Sequence, residues 1–113
     1  MKNKVKVLGV EYKIEYHKLE DDKNLEKADG YMDKTKKLIV VEKDFNSNLG
    51  NPKNYAESIL RHELIHAFLY ESGMSSSSLN ADVAWAMNEE MVDWFAIQSP
   101  KIFKCFKELG IEK

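Results

Sequence analysis

The chain has 113 residues, of which 43% are apolar and 32% charged, a composition that predicts a single domain over residues 1–113 around one modest core. A formal net charge of −2 supplies no basic field to draw nucleic acid or an anionic lipid surface, so neither is expected as a partner. Glu11, Lys13 and Glu15 interrupt any apolar run after the N-terminal lysines, and the lone Cys105 has no partner for an internal disulfide. The expectation is a cytoplasmic protein without export signal or membrane segment.

In chain order, Val5 and Val7 predict a short strand that turns near Gly9. Val10, Tyr12, Ile14 and Tyr16 then alternate with Glu11, Lys13, Glu15 and His17, the period of two that gives a strand with one buried face. The charged stretch from Glu20 to Lys27 contains one large apolar residue and reads as a solvated loop. Gly30 to Asp33, a polar turn through Lys34 to Lys36, and Leu38 to Val41 predict a hairpin whose second strand is buried on both faces.

From Asn51 the pattern becomes helical. Either Asn51 followed by Pro52, or Asn54 with Glu57 three residues later, can start a helix over roughly residues 53 to 72, and Gly73 can end it. The serine run from Ser75 to Ser78 lies in a surface loop at 74–81. A second helix is expected from Asn80 or Asp82 to about Gln98, and a third with Ser99 as cap, Pro100 in its first position and Gly110 as stop. Strands followed by helices define an α+β fold, a small mainly antiparallel sheet of three or four strands followed by three helices.

The chemistry concentrates in His62-Glu63-Leu64-Ile65-His66. Residues four apart on a helix differ by about 40° of rotation and roughly 6 Å of rise, so both imidazoles can reach one ion. Glu63 lies about 100° round from His62, where its carboxylate can reach a water on the metal without ligating it. That is the mechanics of the H-E-x-x-H motif, in which zinc acidifies a water, the glutamate takes its proton and the oxygen attacks a carbonyl. Two such histidines also occur as ordinary helix residues. On a helical wheel, however, His62 and His66 fall among Tyr55, Ile59, Leu69 and Tyr70, and inward-facing imidazoles need polar partners.

A third ligand is required for one Zn2+ ion. Cys105 and His17 qualify by atom type. The second helix offers Glu89 and Asp93, four apart and on one face, beside Trp85, Ala86, Val92 and Ala96; an ionised carboxylate in an apolar setting calls for a cation. Glu89 is then the ligand, and Asp93 accepts a hydrogen bond from the other nitrogen of a ligating histidine. Glu90, near Val83 and Ile97, competes with Glu89, and what favours Glu89 is the aspartate at the fourth position beyond it. Met87, Met91 and Trp94 fall opposite Glu89 and read as core.

His62 to His66, with Glu89-Glu90-Met91-Val92-Asp93 downstream, resembles the H-E-x-x-H plus E-x-x-x-D pattern of gluzincin metallopeptidases. The stretch from His62 through Ala67-Phe68-Leu69-Tyr70-Glu71-Ser72-Gly73, with Val92-Asp93-Trp94-Phe95-Ala96 further on, is similar to small bacterial and phage zincin-like proteins of the ImmA/IrrE type. The likeness spans about Val5 to Phe103, although only the two helical motifs are specific. It implies a zincin-like fold, His62, His66 and Glu89 as zinc ligands, Glu63 as general base and Asp93 behind a ligating histidine. A metzincin would need glycine at position 69 and histidine at 72, where this chain has Leu69 and Ser72. A peptide deformylase would carry its ligand cysteine upstream of the histidines, whereas Cys105 lies downstream.

The expected activity is zinc-dependent hydrolysis of a peptide bond in a protein or peptide substrate. The alternative is a non-catalytic zinc-binding module that docks a partner. A closed structural site takes four protein ligands, and three are found, which favours the enzyme. Tyr70, Tyr31 and His17 are each candidates for a second donor to the oxyanion, and the loops at 20–27 and 74–81 for gating; the sequence does not choose among them.

Overall fold

A computed structural model describes residues 3–43, 50–75 and 84–113. Strand β1 (Lys4–Val7) and strand β2 (Val10–His17) form a hairpin. Its two-residue turn places both Leu8 (φ 49°) and Gly9 (φ 86°) in the left-handed region, the geometry whose twist matches that of the flanking strands. Strand β3 (Gly30–Asp33) and strand β4 (Leu38–Glu42) form a second antiparallel hairpin. The side chain of Asp33 begins its turn by accepting from the backbone N–H groups of Thr35 and Lys36.

The two hairpins join through β2 and β4, which run parallel, so the sheet is mixed with strand order β1-β2-β4-β3. Two of its three pairings are antiparallel, as expected; the parallel one in the middle was not. It arises because the segment between β2 and β3 crosses over, so that β3 becomes the outer edge and β4 inserts beside β2. That crossover is not a plain solvated loop. It folds into two short 3-10 turns, Leu19–Asp21 and Lys23–Glu26, and buries its one large apolar side chain, Leu25.

Helix α1 (Pro52–Glu71) starts at Asn51, whose side chain accepts from the backbone N–H of Asn54, with Pro52 in the first turn where a missing N–H costs nothing. It ends at Ser72, before Gly73. One face of α1, carrying Ala56, Ile59, Leu60, Leu64 and Ala67, packs on the inward side chains of the sheet: Val7, Tyr12, Ile14, Ile39 and Val41. Ile39, Val40 and Val41 are all fully buried, as expected of a central strand.

Helix α2 (Glu89–Glu108) corrects the expected second and third helices. It begins at Asn88, whose side chain accepts from the N–H of Met91, after a 3-10 turn over Trp85–Met87. Asn80 and Asp82, the expected starts, lie outside the described residues. It then runs without a break through Ser99 and Pro100, where a new helix was expected. A proline inside a helix leaves the carbonyl four residues earlier without its donor. Here that carbonyl belongs to Ala96, and the Arg61 side chain of α1 donates to it (Nε–O 2.5 Å).

Helix α2 packs on α1 rather than on the sheet. The pairs His66–Glu89, His62–Asp93 and Arg61–Ala96 show that the two helices are antiparallel. Val92 and Ala96 are its buried residues. Met87 and Trp94, expected in the core, are exposed: among the described residues α2 packs on α1, and no second layer lies over its outer face. No helix among the described residues is long and apolar enough to cross a membrane.

Candidate metal centre

The histidines sit in the third and fourth turns of α1, on the flank facing α2. Their side chains are mostly covered, at 17% exposed for His62 and 16% for His66. The two Nε2 atoms lie 3.2 Å apart. Glu89, the first residue of α2, brings Oε1 to 2.9 Å from Nε2 of His62 and 3.0 Å from Nε2 of His66. Asp93, one turn further along, places Oδ1 3.2 Å from Nδ1 of His62.

These three donor atoms fit a small divalent cation. Ligands about 2.0–2.1 Å from a tetrahedral zinc ion stand roughly 3.3 Å from one another, and the three separations here are 2.9, 3.0 and 3.2 Å. The donor types, two imidazole nitrogens and a carboxylate oxygen, are those zinc prefers. The proton inventory agrees. Where Nδ1 of His62 donates to Asp93, its Nε2 is left to turn a lone pair toward the Glu89 carboxylate and the second imidazole. Three acceptors at this spacing repel unless a proton or a metal ion lies among them. Among the described residues this is the group of histidine, cysteine and acidic side chains placed to hold an ion.

The electrostatics of the carboxylates diverge. Glu89 loses hydration against α1, which pushes its pKa up, but hydrogen bonds and charge from His66 and then His62 outweigh this and hold it below the usual value. Glu63 is only 8% exposed, and burial, assisted by repulsion from Glu89 and opposed by His62, pushes its carboxyl up to about 7. It lines the same open cleft as His62, His66 and Glu89, about 770 Å³ in volume, to which Gly30, Tyr31, Met32 and Asp33 of β3 and Met87 also contribute. A larger hollow of about 1090 Å³, between β2 and the start of α1, contains none of these groups.

One expectation about the surroundings is overturned. Glu89 and Asp93 are not set among buried apolar side chains; they are 71% and 57% exposed, because they lie at the solvent edge of the α1–α2 contact while Val92 and Ala96 fill its interior. Glu90 and Cys105 do not join the cluster. Of the three candidate oxyanion donors, Tyr31 lines the cleft, but its hydroxyl donates to Asp22 Oδ2 at 2.6 Å. His17 bridges Asp22 and Glu15 at 2.7 and 2.8 Å. The Tyr70 ring lies against the ammonium groups of Lys34 and Lys37.

Gly30 was not read as a site residue. A Cβ there would stand 2.8 Å from the Val40 carbonyl oxygen and 2.7 Å from Ile59 Cγ2, with Glu63 Cγ next at 3.7 Å. The absent side chain thus lets edge strand β3 lie against α1 at the level of Glu63. A glycine opening a strand is the available signal for so close an approach. Beside it, Tyr55 of α1 donates a hydrogen bond to Asp29, tying the entry of β3 to the helix.

Fold and site together define an α+β domain with a cleft in which two imidazoles and a carboxylate, groups of the type that can hold a metal ion, converge beside a buried carboxyl group. Compared with known proteins, the chain matches no family model, no curated protein and no solved structure.

Proposed function

We propose that this protein is a zinc-dependent metallopeptidase of the gluzincin type, similar to the small zincin-like proteins of the ImmA/IrrE kind, acting on a protein or peptide substrate. The observation that carries the reading is the meeting of His62 Nε2, His66 Nε2 and Glu89 Oε1 within 3.2 Å of one another, in a cleft that Glu63 also lines. Zinc, when bound, supplies Lewis acidity that polarises a carbonyl and acidifies water. A structural zinc site would close with four protein ligands, and three donors gather here among the described residues.

The chain's own groups divide the remaining work. Glu63 removes the proton from the attacking water and delivers it to the leaving amine; a carboxyl pushed up to about 7 is matched to doing both near neutral pH. Asp93 holds Nδ1–H of His62, which fixes the tautomer and keeps Nε2 aimed into the cleft. Strand β3 is an outer strand of the sheet among the described residues, and its outer edge offers backbone donors and acceptors to an extended peptide.

The test is Glu63→Gln, assayed for zinc content and for cleavage of casein and a mixed peptide library. The variant is expected to retain one zinc per chain and to lose cleavage by about 10²-fold or more. Unchanged cleavage removes Glu63 from the mechanism. A wild-type protein that takes up no zinc removes the reading.

A further inference from the structure

We propose that Arg61 is a positioning residue for the metal cluster, acting through the backbone carbonyl of Ala96 that Pro100 leaves without a donor; the inference rests on the metal reading above. In an α-helix each carbonyl accepts from the N–H four residues on. Pro100 has no N–H, and its ring pushes the Ala96 carbonyl away from the helix axis. Ala96 is fully buried, so water does not reach this acceptor readily, and left alone it would favour a break in the helix. Yet α2 continues from Glu89 to Glu108. The compensating donor is Arg61 Nε, 2.5 Å from the Ala96 oxygen, from the chain's sole arginine.

The consequence for the site lies in the order of contacts between the antiparallel helices. Going down α1 from His66 to His62 to Arg61, the partners on α2 go up from Glu89 to Asp93 to Ala96. The first two partners are largely exposed carboxylates at the solvent edge of the contact, where a charged pair does little to fix one helix against the other. The buried side chains of α2, those of Val92 and Ala96, are small and apolar and give no directional contact. The Arg61–Ala96 bond is therefore the directional link at the buried centre of this contact. A planar guanidinium sets the direction of its Nε–H more tightly than a lysine ammonium would. Because α2 advances about 1.5 Å per residue, a slip by one residue would carry Glu89 Oε1 off the triangle it forms with the two imidazoles. Arg61 directly precedes His62, so the link shares a turn of α1 with one of the two imidazoles.

A double-mutant cycle tests this with four proteins: wild type, Arg61→Met, Pro100→Ala and the double variant. Methionine keeps an apolar stem and removes the donor, whereas alanine at 100 restores the N–H that Ala96 lacks. Each protein is measured for melting temperature without metal, for Zn2+ affinity by chelator competition, and for the visible spectrum of bound Co2+, which reads ligand geometry. Arg61→Met is expected to weaken Zn2+ binding about tenfold or more and to change the Co2+ bands. In the Pro100→Ala background the same substitution is expected to change affinity by no more than about threefold and to leave the bands in place, since the helix then supplies its own donor. Equal losses in both backgrounds, or an unchanged affinity and spectrum in Arg61→Met, overturn the proposal. A wild-type protein that binds no Zn2+ refutes the metal reading instead. The metal-free melting cycle then still decides the link: shifts that are not additive uphold it, and additive shifts overturn it.

Discussion

Replacing Gly30 by alanine measures how tightly the edge strand is held against the helix that carries the site. The new Cβ would stand 2.7 Å from Ile59 Cγ2 and 2.8 Å from the Val40 oxygen. The first obstacle is a methyl group that can turn aside. The second is backbone of β4, a strand paired on both sides and buried at Val40, so β3 must yield instead. Forcing a methyl group into packing of this density typically costs about 1–3 kcal/mol. Loss of glycine's freedom in the unfolded chain returns about 0.4–1 kcal/mol, which leaves a net destabilisation of about 1–2 kcal/mol. For a chain of this length that corresponds to a melting temperature lower by roughly 4–8 °C. Urea unfolding should show a lower midpoint with unchanged slope. Gly50→Ala is the control, since among the described residues nothing lies within 4 Å of a Cβ there, and its effect should stay within about 0.5 kcal/mol. If Gly30→Ala matched that control, the claim that β3 is pressed onto α1 at Glu63 would be refuted.

Other predictions concern the ion and the polar network beside the cleft. Free Zn2+ at 100 times its dissociation constant should stabilise the wild type by about 2.7 kcal/mol, and His66→Ala should abolish the shift; a calorimetric scan showing the same shift in both proteins would place the ion elsewhere. Asp93→Ala should lower Zn2+ affinity about 10–100-fold with the fold intact, and equal affinity by chelator competition would deny its hold on His62. The pair His17–Asp22 should give a pH-dependent stability. Hydrogen bonds to Asp22 and then Glu15 raise the His17 pKa above 6.5, so its stabilisation is complete below 6.5 and fades as pH rises through the raised value. The Tyr31 hydroxyl and then His17 lower the Asp22 pKa below 3.8, so its stabilisation is complete above 3.8 and fades as pH falls through the lowered value. Asp22→Asn should therefore cost most between about pH 4 and 6.5 and progressively less as pH rises through the raised His17 value; a difference in urea midpoint that does not shrink with rising pH would contradict the network.

Local chemistry alone made much of the frame legible. The alternation from Val10 to Tyr16, the apolar run at Leu38 to Val41 and the start of α1 at Asn51 each follow from a period or cap written within a few residues. The donor types and the four-residue spacing of His62 and His66 belong to the same category, because the pitch of one helix brings the two rings together. The failures share a cause. Ser99 and Pro100 carry the local chemistry of a helix start, and α2 passes through them because a donor from another helix, Arg61, meets the carbonyl that proline strands. In the sequence only the aspartate four residues on favours Glu89 over Glu90; which of two adjacent residues, about 100° of rotation apart, meets the histidines depends on how α2 docks on α1. So does the exposure of Met87 and Trp94, apolar side chains over which no layer lies among the described residues. The parallel union of β2 and β4 depends likewise on which edge the crossover leaves free. Periodicity and capping act between neighbours in sequence and can be read from it, whereas hydrogen bonds and burial between distant segments exist only after the chain has closed on itself.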